Sequence, residues 1–102
     1  MKFIRITTHT EEFYKAKPEN FKALLEEHKR WLEEKKRAGK LLDAFLLAGN
    51  ADGDRSITLW EFDSPEEIDE CIWEDPIGFT FVWEVYPAVD VFAHIEHVLP
   101  HL

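Results

Sequence analysis

The stretch that says most about the architecture is residues 18–49, PENFKALLEEHKRWLEEKKRAGKLLDAFLLAG. Its first part repeats apolar side chains at intervals of three and four, the spacing of one buried face on an α-helix. Pro18 suits the first turn of that helix, because the N–H that proline lacks has no partner there anyway. Gly39 is typical of the residue just past a helix end. The apolar run Leu41–Gly49 then predicts a strand buried on both faces.

The segments on either side add two further strands. Before the helix, Met1–His9 alternates and is rich in β-branched residues, which predicts a strand, and the polar segment Thr10–Lys17 is typical of a loop. After the second strand, Asn50–Asp54 has the composition of a hairpin turn, and Arg55–Asp63 alternates as the return strand.

A second helix and a fourth strand complete the pattern. Ser64–Glu67 is a helix start, with a serine cap, a proline in the first turn and a glutamate three residues after the serine. The helix ends at Asp75, because the residue before a proline is pushed out of the helical region. Phe79–Tyr86 predicts the fourth strand, and apolar spacing over residues 91–99 predicts a short C-terminal helix before Pro100.

The order β-α-β-β-α-β predicts an α+β fold, the ferredoxin-like two-layer sandwich, with the C-terminal helix as an addition. We expect residues 1–102 to form one domain. Two helices can cover only one face of the sheet, yet the second and fourth strands are apolar on both faces. Since a large apolar face is rarely left bare, we expect a homodimer in which two sheets face each other as a dimeric α+β barrel.

Composition narrows the class of protein. Lys and Arg number 12 and Asp and Glu 21, a formal charge of −9, which argues against nucleic acid or an anionic membrane as the main partner. The 45% hydrophobic content argues against a disordered chain. A single cysteine fits the reducing cytoplasm. We see no signal peptide and no apolar run near the ~20 residues of a membrane span, so we expect a cytoplasmic protein.

His28 is the first candidate for chemistry, because it lies on the apolar stripe of the first helix between Leu25 and Trp31. A desolvated imidazole tends to be neutral near pH 7 and can act as a base or hold a ligand. A core histidine bonded to a backbone carbonyl would occupy the same position. The pattern leaves both interpretations open.

Asp75 is the second candidate. Asp-Pro after a helix is also ordinary helix-stop chemistry. If both helices lie on one sheet face, however, Asp75 can meet His28 in space. Such a pair would fix the tautomer of the imidazole and raise its basicity.

Five aromatic side chains are candidates to bind a flat or aromatic ligand: Trp31, Trp60, Phe62, Trp83 and Tyr86. The same spacings are typical of core or dimer-interface positions, so both roles stay open. Asp43 and Glu84 are unusual on apolar strands. Arg5 on the first strand could pair with either of them or with a ligand carboxylate.

We expect no metal and no organic cofactor. Four side chains have calcium-loop spacing, namely Asn50, Asp52, Asp54 and Glu61, but Arg55 stands where the loop needs glycine. His94, His97 and His101 could share one helical face, but Pro100 interrupts that helix, so a solvated tail is favoured. Cys71 lies on the buried stripe of the second helix and is favoured as a core residue over a nucleophile.

The chain resembles the dimeric α+β barrel superfamily, and within it the small YCII-related and muconolactone-isomerase-like proteins. The resemblance rests on four segments between His28 and Val91: HKRWL at 28–32, RAGKLL at 37–42, DP at 75–76 and YPAVD at 86–90. It implies that His28 and Asp75 share an active site. The chain departs from the family pattern after the second strand, where Ala48-Gly49-Asn50 replaces Gly-Pro.

Three functions are compatible with the sequence. The first is a cofactor-independent enzyme of the isomerase or cyclase (lyase) type, in which His28 and Asp75 move a proton on a small unsaturated lactone, carbonyl or aromatic compound. The second is a non-catalytic small-ligand-binding or accessory dimeric protein. The third is a structural dimerisation module with a filled interior.

Overall fold

The computed structural model describes residues 1–15, 18–47 and 55–102. Its helices are α1 (Glu11–Lys15), α2 (Pro18–Arg37), α3 (Pro65–Trp73) and α4 (Val91–Val98). Its strands are β1 (Lys2–His9), β2 (Leu41–Leu46), β3 (Arg55–Glu61) and β4 (Phe81–Ala88), and two short 3₁₀ turns span Gly78–Thr80 and Leu99–His101. This element order confirms the predicted α+β, ferredoxin-like fold.

The four strands form one sheet in the order β2-β3-β1-β4, in which the three neighbouring pairs are antiparallel. β1 and β3 are therefore the inner strands. Since side chains alternate between the two faces, β1 turns Phe3, Arg5 and Thr7 to one face and Ile4 and Ile6 to the other.

Helices α2 and α3 cover the face that carries Phe3. Their buried side chains join Phe3 and Trp60 in one core cluster, which also includes Trp31 from α2 and Ile68 and Ile72 from α3. Trp60 has 0% exposure, and full burial of a side chain such as Phe3 contributes about 2 kcal/mol. The opposite face of the sheet, which carries Ile4 and Ile6, has no helix of this core against it; we call it the open face.

Three sequence-based expectations are corrected. The predicted loop Thr10–Lys17 contains helix α1, whose acidic first turn and basic last turn suit the helix dipole. The second strand is not buried on both faces: it ends at Leu46, lies at the sheet edge and buries only Leu41. The fourth strand begins at Phe81 rather than Phe79, because Phe79 belongs to a 3₁₀ turn.

The C-terminal helix is present as predicted, but its apolar side chains are not buried. Asp90 caps α4 by accepting hydrogen bonds from Phe92 N and Ala93 N. Phe92 is 74% exposed, and no residue of α4 is buried. The predicted turn Asn50–Asp54, its calcium-loop alternative and the Ala48-Gly49-Asn50 departure lie outside the described residues. In the described part of the chain, no helix has the length and apolar character needed to cross a membrane.

Candidate functional site

The helix-covered face of the sheet changes from apolar to polar along β1 and β3. Phe3 stands opposite Trp60, but the next pairs on that face are Arg5 with Thr58 and Thr7 with Ser56. Arg5, Thr7 and Thr58 are all buried. Polar side chains at core positions cost free energy unless they have partners. Thr58 has one, since its Oγ1 accepts a hydrogen bond from Trp60 Nε1 at 2.7 Å, so this half of the face depends on polar contacts as well as on packing.

A cavity of about 280 Å³ lies between α2 and this polar half of the sheet. Arg5, Thr7, Ser56 and Thr58 supply polar side chains, and the apolar lining includes Leu25, Leu32, Ala44, Leu46, Ile77 and Phe81. An apolar cavity of about 150 Å³ is enough to hold benzene. The cavity therefore has room for one substituted ring, with a polar floor and apolar walls.

His28 lies on the helix side of this cavity and contacts Asp75. The His28 Nδ1 and Asp75 Oδ1 atoms are 2.7 Å apart. The Asp75 side chain has no exposure, whereas that of His28 keeps 21%. The structure thus brings together the two residues that the sequence singled out. Because Asp75 occupies Nδ1, the ring nitrogen left for other chemistry is Nε2.

The turn after α3 holds the Asp75 carboxylate in place. Its Oδ1 atom also accepts a hydrogen bond from Ile77 N at 3.1 Å. The backbone continues the turn, since Gly78 N donates to Asp75 O at 3.0 Å. The carboxylate is therefore fixed before any ligand binds.

Arg5 is the third member of the site, and its partner differs from the expected ones. Arg5 Nη1 lies 3.6 Å from Asp75 Oδ2, and the side chain is 2% exposed. Burial lowers the pKa of Arg5, while the Asp75 charge acts in the opposite direction. Asp43 and Glu84, the partners suggested by sequence, stand opposite Leu59 and Ile6 and so belong to the open face.

The five aromatic residues proposed as ligand contacts lie in the core or at the surface, and not in the described lining of the cavity. Trp31, Trp60 and Phe62 are buried in the core, where Trp60 lies 5.6 Å from Trp31 and 5.8 Å from Phe62 between ring centroids. Trp83 packs edge-on against Trp73, and exposed Tyr86 donates a hydrogen bond to Glu84, which raises the pKa of Tyr86. None of the five is among the described residues that line the cavity.

Two aromatic-ring positions in the lining were not singled out for ligand binding by the sequence, His9 and Phe81. Both point to the helix-covered face, where they are paired across β1 and β4. Strand alternation could have placed both on this face, because His9 lies an even number of residues from Phe3 and Arg5, and Phe81 lies two residues from Trp83. Alternation gives the face, but it does not reveal which end of that face holds a cavity.

The remaining candidates do not join the cavity lining. Cys71 is buried in the core, and burial raises the pKa of its thiol. His97 and His101 lie 5.9 Å apart between ring centroids at the exposed C-terminus. Within residues 1–15, 18–47 and 55–102, no group of three or more His, Cys, Asp and Glu side chains is arranged to hold a metal ion.

Comparison with known proteins adds information at the level of the fold. No protein-family model matches the chain, and no curated protein sequence matches it. Among solved structures, muconolactone isomerase is similar with a TM-score of 0.73 and 16% identity, over 88% of this chain and 90% of that one. The 5-chloro-2-hydroxyhydroquinone dehydrochlorinase of Burkholderia phenoliruptrix AC1100, in complex with 2,5-dihydroxybenzoquinone, gives 0.63 and 20% identity, over 87% and 94%.

An antibiotic biosynthesis monooxygenase is a more distant neighbour, with a TM-score of 0.52 and 13% identity over 88% of this chain and 100% of that one. These neighbours carry different activities in their names and share one architecture. At such identities the likeness establishes the fold and not the reaction. The chain therefore has the ferredoxin-like α+β fold that muconolactone isomerase and these other neighbours share.

Proposed function

We propose that this protein is a cofactor-independent enzyme of the isomerase or cyclase type, which moves a proton on a small unsaturated lactone, carbonyl or aromatic compound. The observation that carries the proposal is the His28 Nδ1 to Asp75 Oδ1 distance of 2.7 Å beside a cavity of about 280 Å³. A histidine oriented by a carboxylate next to space for a substrate is the arrangement that general acid–base catalysis needs.

The proposed mechanism uses each ring nitrogen of His28 for one task. Nδ1–H donates to the Asp75 carboxylate, which fixes the tautomer and leaves a lone pair on Nε2. Nε2 removes a proton next to a carbonyl or lactone group, and the resulting imidazolium is stabilised by Asp75. The imidazolium then returns the proton at another carbon. General base catalysis of this kind contributes typically ~10²–10⁴-fold, so orientation by the cavity must supply the rest.

The names of the structural neighbours support the substrate class. One is an isomerase named for muconolactone, and another is a dehydrochlorinase in complex with 2,5-dihydroxybenzoquinone. Both names involve a small ring that carries oxygen substituents. A cavity with hydroxyl groups on its floor and apolar walls fits the same description.

The test replaces the base and leaves the carboxylate in place. His28→Asn should lower the rate of deuterium exchange from D₂O into substrates, screened among small lactones and hydroxyquinones by NMR, by a factor of 100 or more. Substrate affinity should change by less than a factor of about five, because the cavity floor is unaltered. The matched control is His94→Asn, the same change at an exposed position of α4. Wild-type exchange in His28→Asn would remove His28 from the mechanism.

A non-catalytic ligand-binding or accessory role is the second candidate. The Arg5–Asp75 ion pair favours it, because a carboxylate that neutralises a buried cation has a structural reason to be present. In that case the cavity would hold its ligand unchanged. A ligand that binds tightly, with no exchange and no product in wild type, would replace the enzyme with this function.

We further propose that the protein is a homodimer through the open face. Ile6 stands opposite Ile57 and Ile4 opposite Leu59 at the centre of that face. Phe45 on β2 is 59% exposed and Val82 on β4 is 61% exposed. The centre of this face is apolar, with Asp43 on one side and Glu84 on the other. An apolar centre with a polar rim is typical of an interface, and a second copy would cover it with a matching surface about a two-fold axis.

A further inference from the structure

We propose that Arg5 binds an anionic oxygen of the ligand, so that the substrate class is narrowed to organic carboxylates, enolates and phenolates. This inference deepens the proposed function and rests on it for the reaction. It is carried by a buried guanidinium that lines the cavity with donors left over.

Two guanidinium nitrogens of Arg5 have hydrogen-bond donors that no described residue accepts. Arg5 Nε and Nη2 are buried, and neither has a hydrogen-bond partner among the described residues. Within residues 1–15, 18–47 and 55–102, Nη1 is the one Arg5 nitrogen that approaches a carboxylate, at 3.6 Å from Asp75 Oδ2. Charge-assisted hydrogen bonds of this type measure about 2.7–2.9 Å. Asp75 therefore compensates the charge of Arg5 without using its donors, and buried donors left unpaired are costly.

The polar part of the cavity wall consists of one cation and several hydroxyl groups. The chain carries 21 acidic residues, yet no carboxylate is among the described residues that line the cavity. Asp75 lies behind the wall, and the lining instead presents Arg5 with the hydroxyl groups of Thr7, Ser56 and Thr58. In a chain of formal charge −9, a surface that combines one cation with hydroxyl donors is suited to an anion.

The Arg5 side chain is held in place by two aromatic rings. Its guanidinium carbon lies 5.4 Å from the ring centroid of Trp83 and 6.0 Å from that of Phe81. Packing against these rings leaves the side chain little freedom to lose when a ligand binds. A planar fork fixed in this way matches two oxygens of a carboxylate better than a flexible lysine would.

The experiment measures binding rather than turnover. We would titrate two matched pairs of probes, benzoate with benzamide and 4-nitrophenolate with 4-nitroanisole, at a pH where both acids are ionised. Wild-type protein should bind at least one anion tenfold or more tightly than its neutral partner. The first pair tests carboxylates. The second pair tests phenolates and also represents enolates, whose single anionic oxygen is likewise bonded to an sp² carbon.

Variants then assign the preference to Arg5. Arg5→Met should abolish the preference for the anion. Because that variant leaves Asp75 without its cation, the double variant Arg5→Met/Asp75→Asn removes both charges and keeps the result interpretable if the single variant does not fold. Arg5→Lys keeps the charge without the fork and should retain only part of the preference. The inference is overturned if no anion reaches tenfold preference in wild type, or if the preference survives in the double variant.

The same data separate this inference from the proposed function. His28→Asn should keep the anion preference and lose proton exchange. Anion binding without exchange in wild type would reject the enzyme and retain the Arg5 site. Exchange in wild type without a tenfold preference for either anion would retain the enzyme and reject the Arg5 site.

Discussion

Each oxygen of the Asp75 carboxylate has a separate task. Oδ1 is hydrogen-bonded to His28 Nδ1 and accepts a second hydrogen bond from Ile77 N, and Oδ2 faces the Arg5 guanidinium. The side chain has no exposure, so its negative charge depends on these neighbours and not on water. Asp75 therefore links the orientation of the His28 ring to the compensation of the buried Arg5 charge.

Asp75→Asn should damage both stability and turnover. An amide leaves Arg5 buried without its counter-charge, and breaking a buried pair costs about 3–5 kcal/mol. We expect the free energy of unfolding in urea to fall by about 3 kcal/mol, and proton exchange to fall at least a hundredfold. Asp69→Asn on the exposed side of α3 is the control. A loss of less than about 1 kcal/mol would contradict the importance of the ion pair.

Cys71 provides a prediction about pH. Because burial raises the pKa of the thiol, the folded protein keeps it protonated over a pH range in which an exposed cysteine has become thiolate. The resulting stabilisation is present below the ordinary thiol pKa and is lost as the pH rises through the folded-state value. Alkylation by iodoacetamide at pH 8–9 should be slower in folded protein than in urea. Equal rates in both states would contradict the burial argument.

At the residue scale, sequence reasoning singled out His28 and Asp75 and named a ligand carboxylate among the partners open to Arg5, but it did not predict the ion pair of Arg5 with Asp75. A polar residue on an apolar helical stripe is visible from periodicity alone, and so is an aspartate before a proline. Strand alternation placed Arg5 on the same face as Phe3, but a face has several positions across it. Which carboxylate it meets depends on how the turn after α3 is directed over the sheet, and that follows from tertiary packing.

The elements are positioned by their ends as much as by their apolar faces. Ser64 Oγ accepts a hydrogen bond from Glu67 N at 3.3 Å, and Glu67 Oε2 accepts one from Asp63 N at 3.1 Å. These contacts confirm the predicted start of α3 and satisfy donors that helix ends leave unpaired. Because these contacts fix the start of α3, they also help to fix the position of Asp75, which follows the other end of the helix.

Gly39 ends α2 with a positive φ of 76°. Lys40 N then bonds to Lys35 O, which closes the helix end and leads into β2. An added Cβ would have no atom within 4 Å, so Gly39→Ala isolates the backbone effect. We expect a loss of about 1 kcal/mol in the free energy of unfolding in urea. Gly39→Asn should cost less, since asparagine tolerates this conformation; equal stability of the alanine variant would contradict the assignment.

The boundary of β4 shows why strand starts are hard to read from sequence. Phe79, Phe81 and Trp83 alternate without interruption, so periodicity includes all three. In the structure the backbone at Phe79 follows a 3₁₀ turn, because Thr80 N bonds to Ile77 O instead of a neighbouring strand. The turn continues from the Asp75 loop, and its hydrogen bonds leave no trace in the pattern of apolar residues.

For the molecule as a whole, the proposed homodimer can be tested at the open face. Ile57→Lys places a charge opposite Ile6 at its centre without touching the helix-covered core. Sedimentation velocity should show wild type as a dimer and Ile57→Lys as a folded monomer, because burying a lysine in an apolar interface is costly. Ala23→Lys on the exposed side of α2 is the control and should stay dimeric. Monomeric wild type at hundreds of micromolar would reject the interface.

The architecture was predictable from sequence because local patterns agree with one another. Two helices, four strands and their order leave few ways to build a two-layer fold. The sequence also indicated a bare sheet face, because the second and fourth strands carry apolar residues on both faces and two helices can cover only one of them. The cavity was not predictable, since it arises where Arg5, Thr7 and Ser56 replace apolar residues on a face whose other half is solid core.

That division of the covered face has an evolutionary consequence. Phe3, Trp60 and the side chains from α3 belong to the packed half, while Thr7, Ser56 and Thr58 line the cavity. Thr58 Oγ1 accepts a hydrogen bond from Trp60 Nε1 at 2.7 Å, so a substitution at Thr58 would also disturb the core. Thr7 and Ser56 are therefore the positions at which evolution could vary the cavity with the least cost to packing.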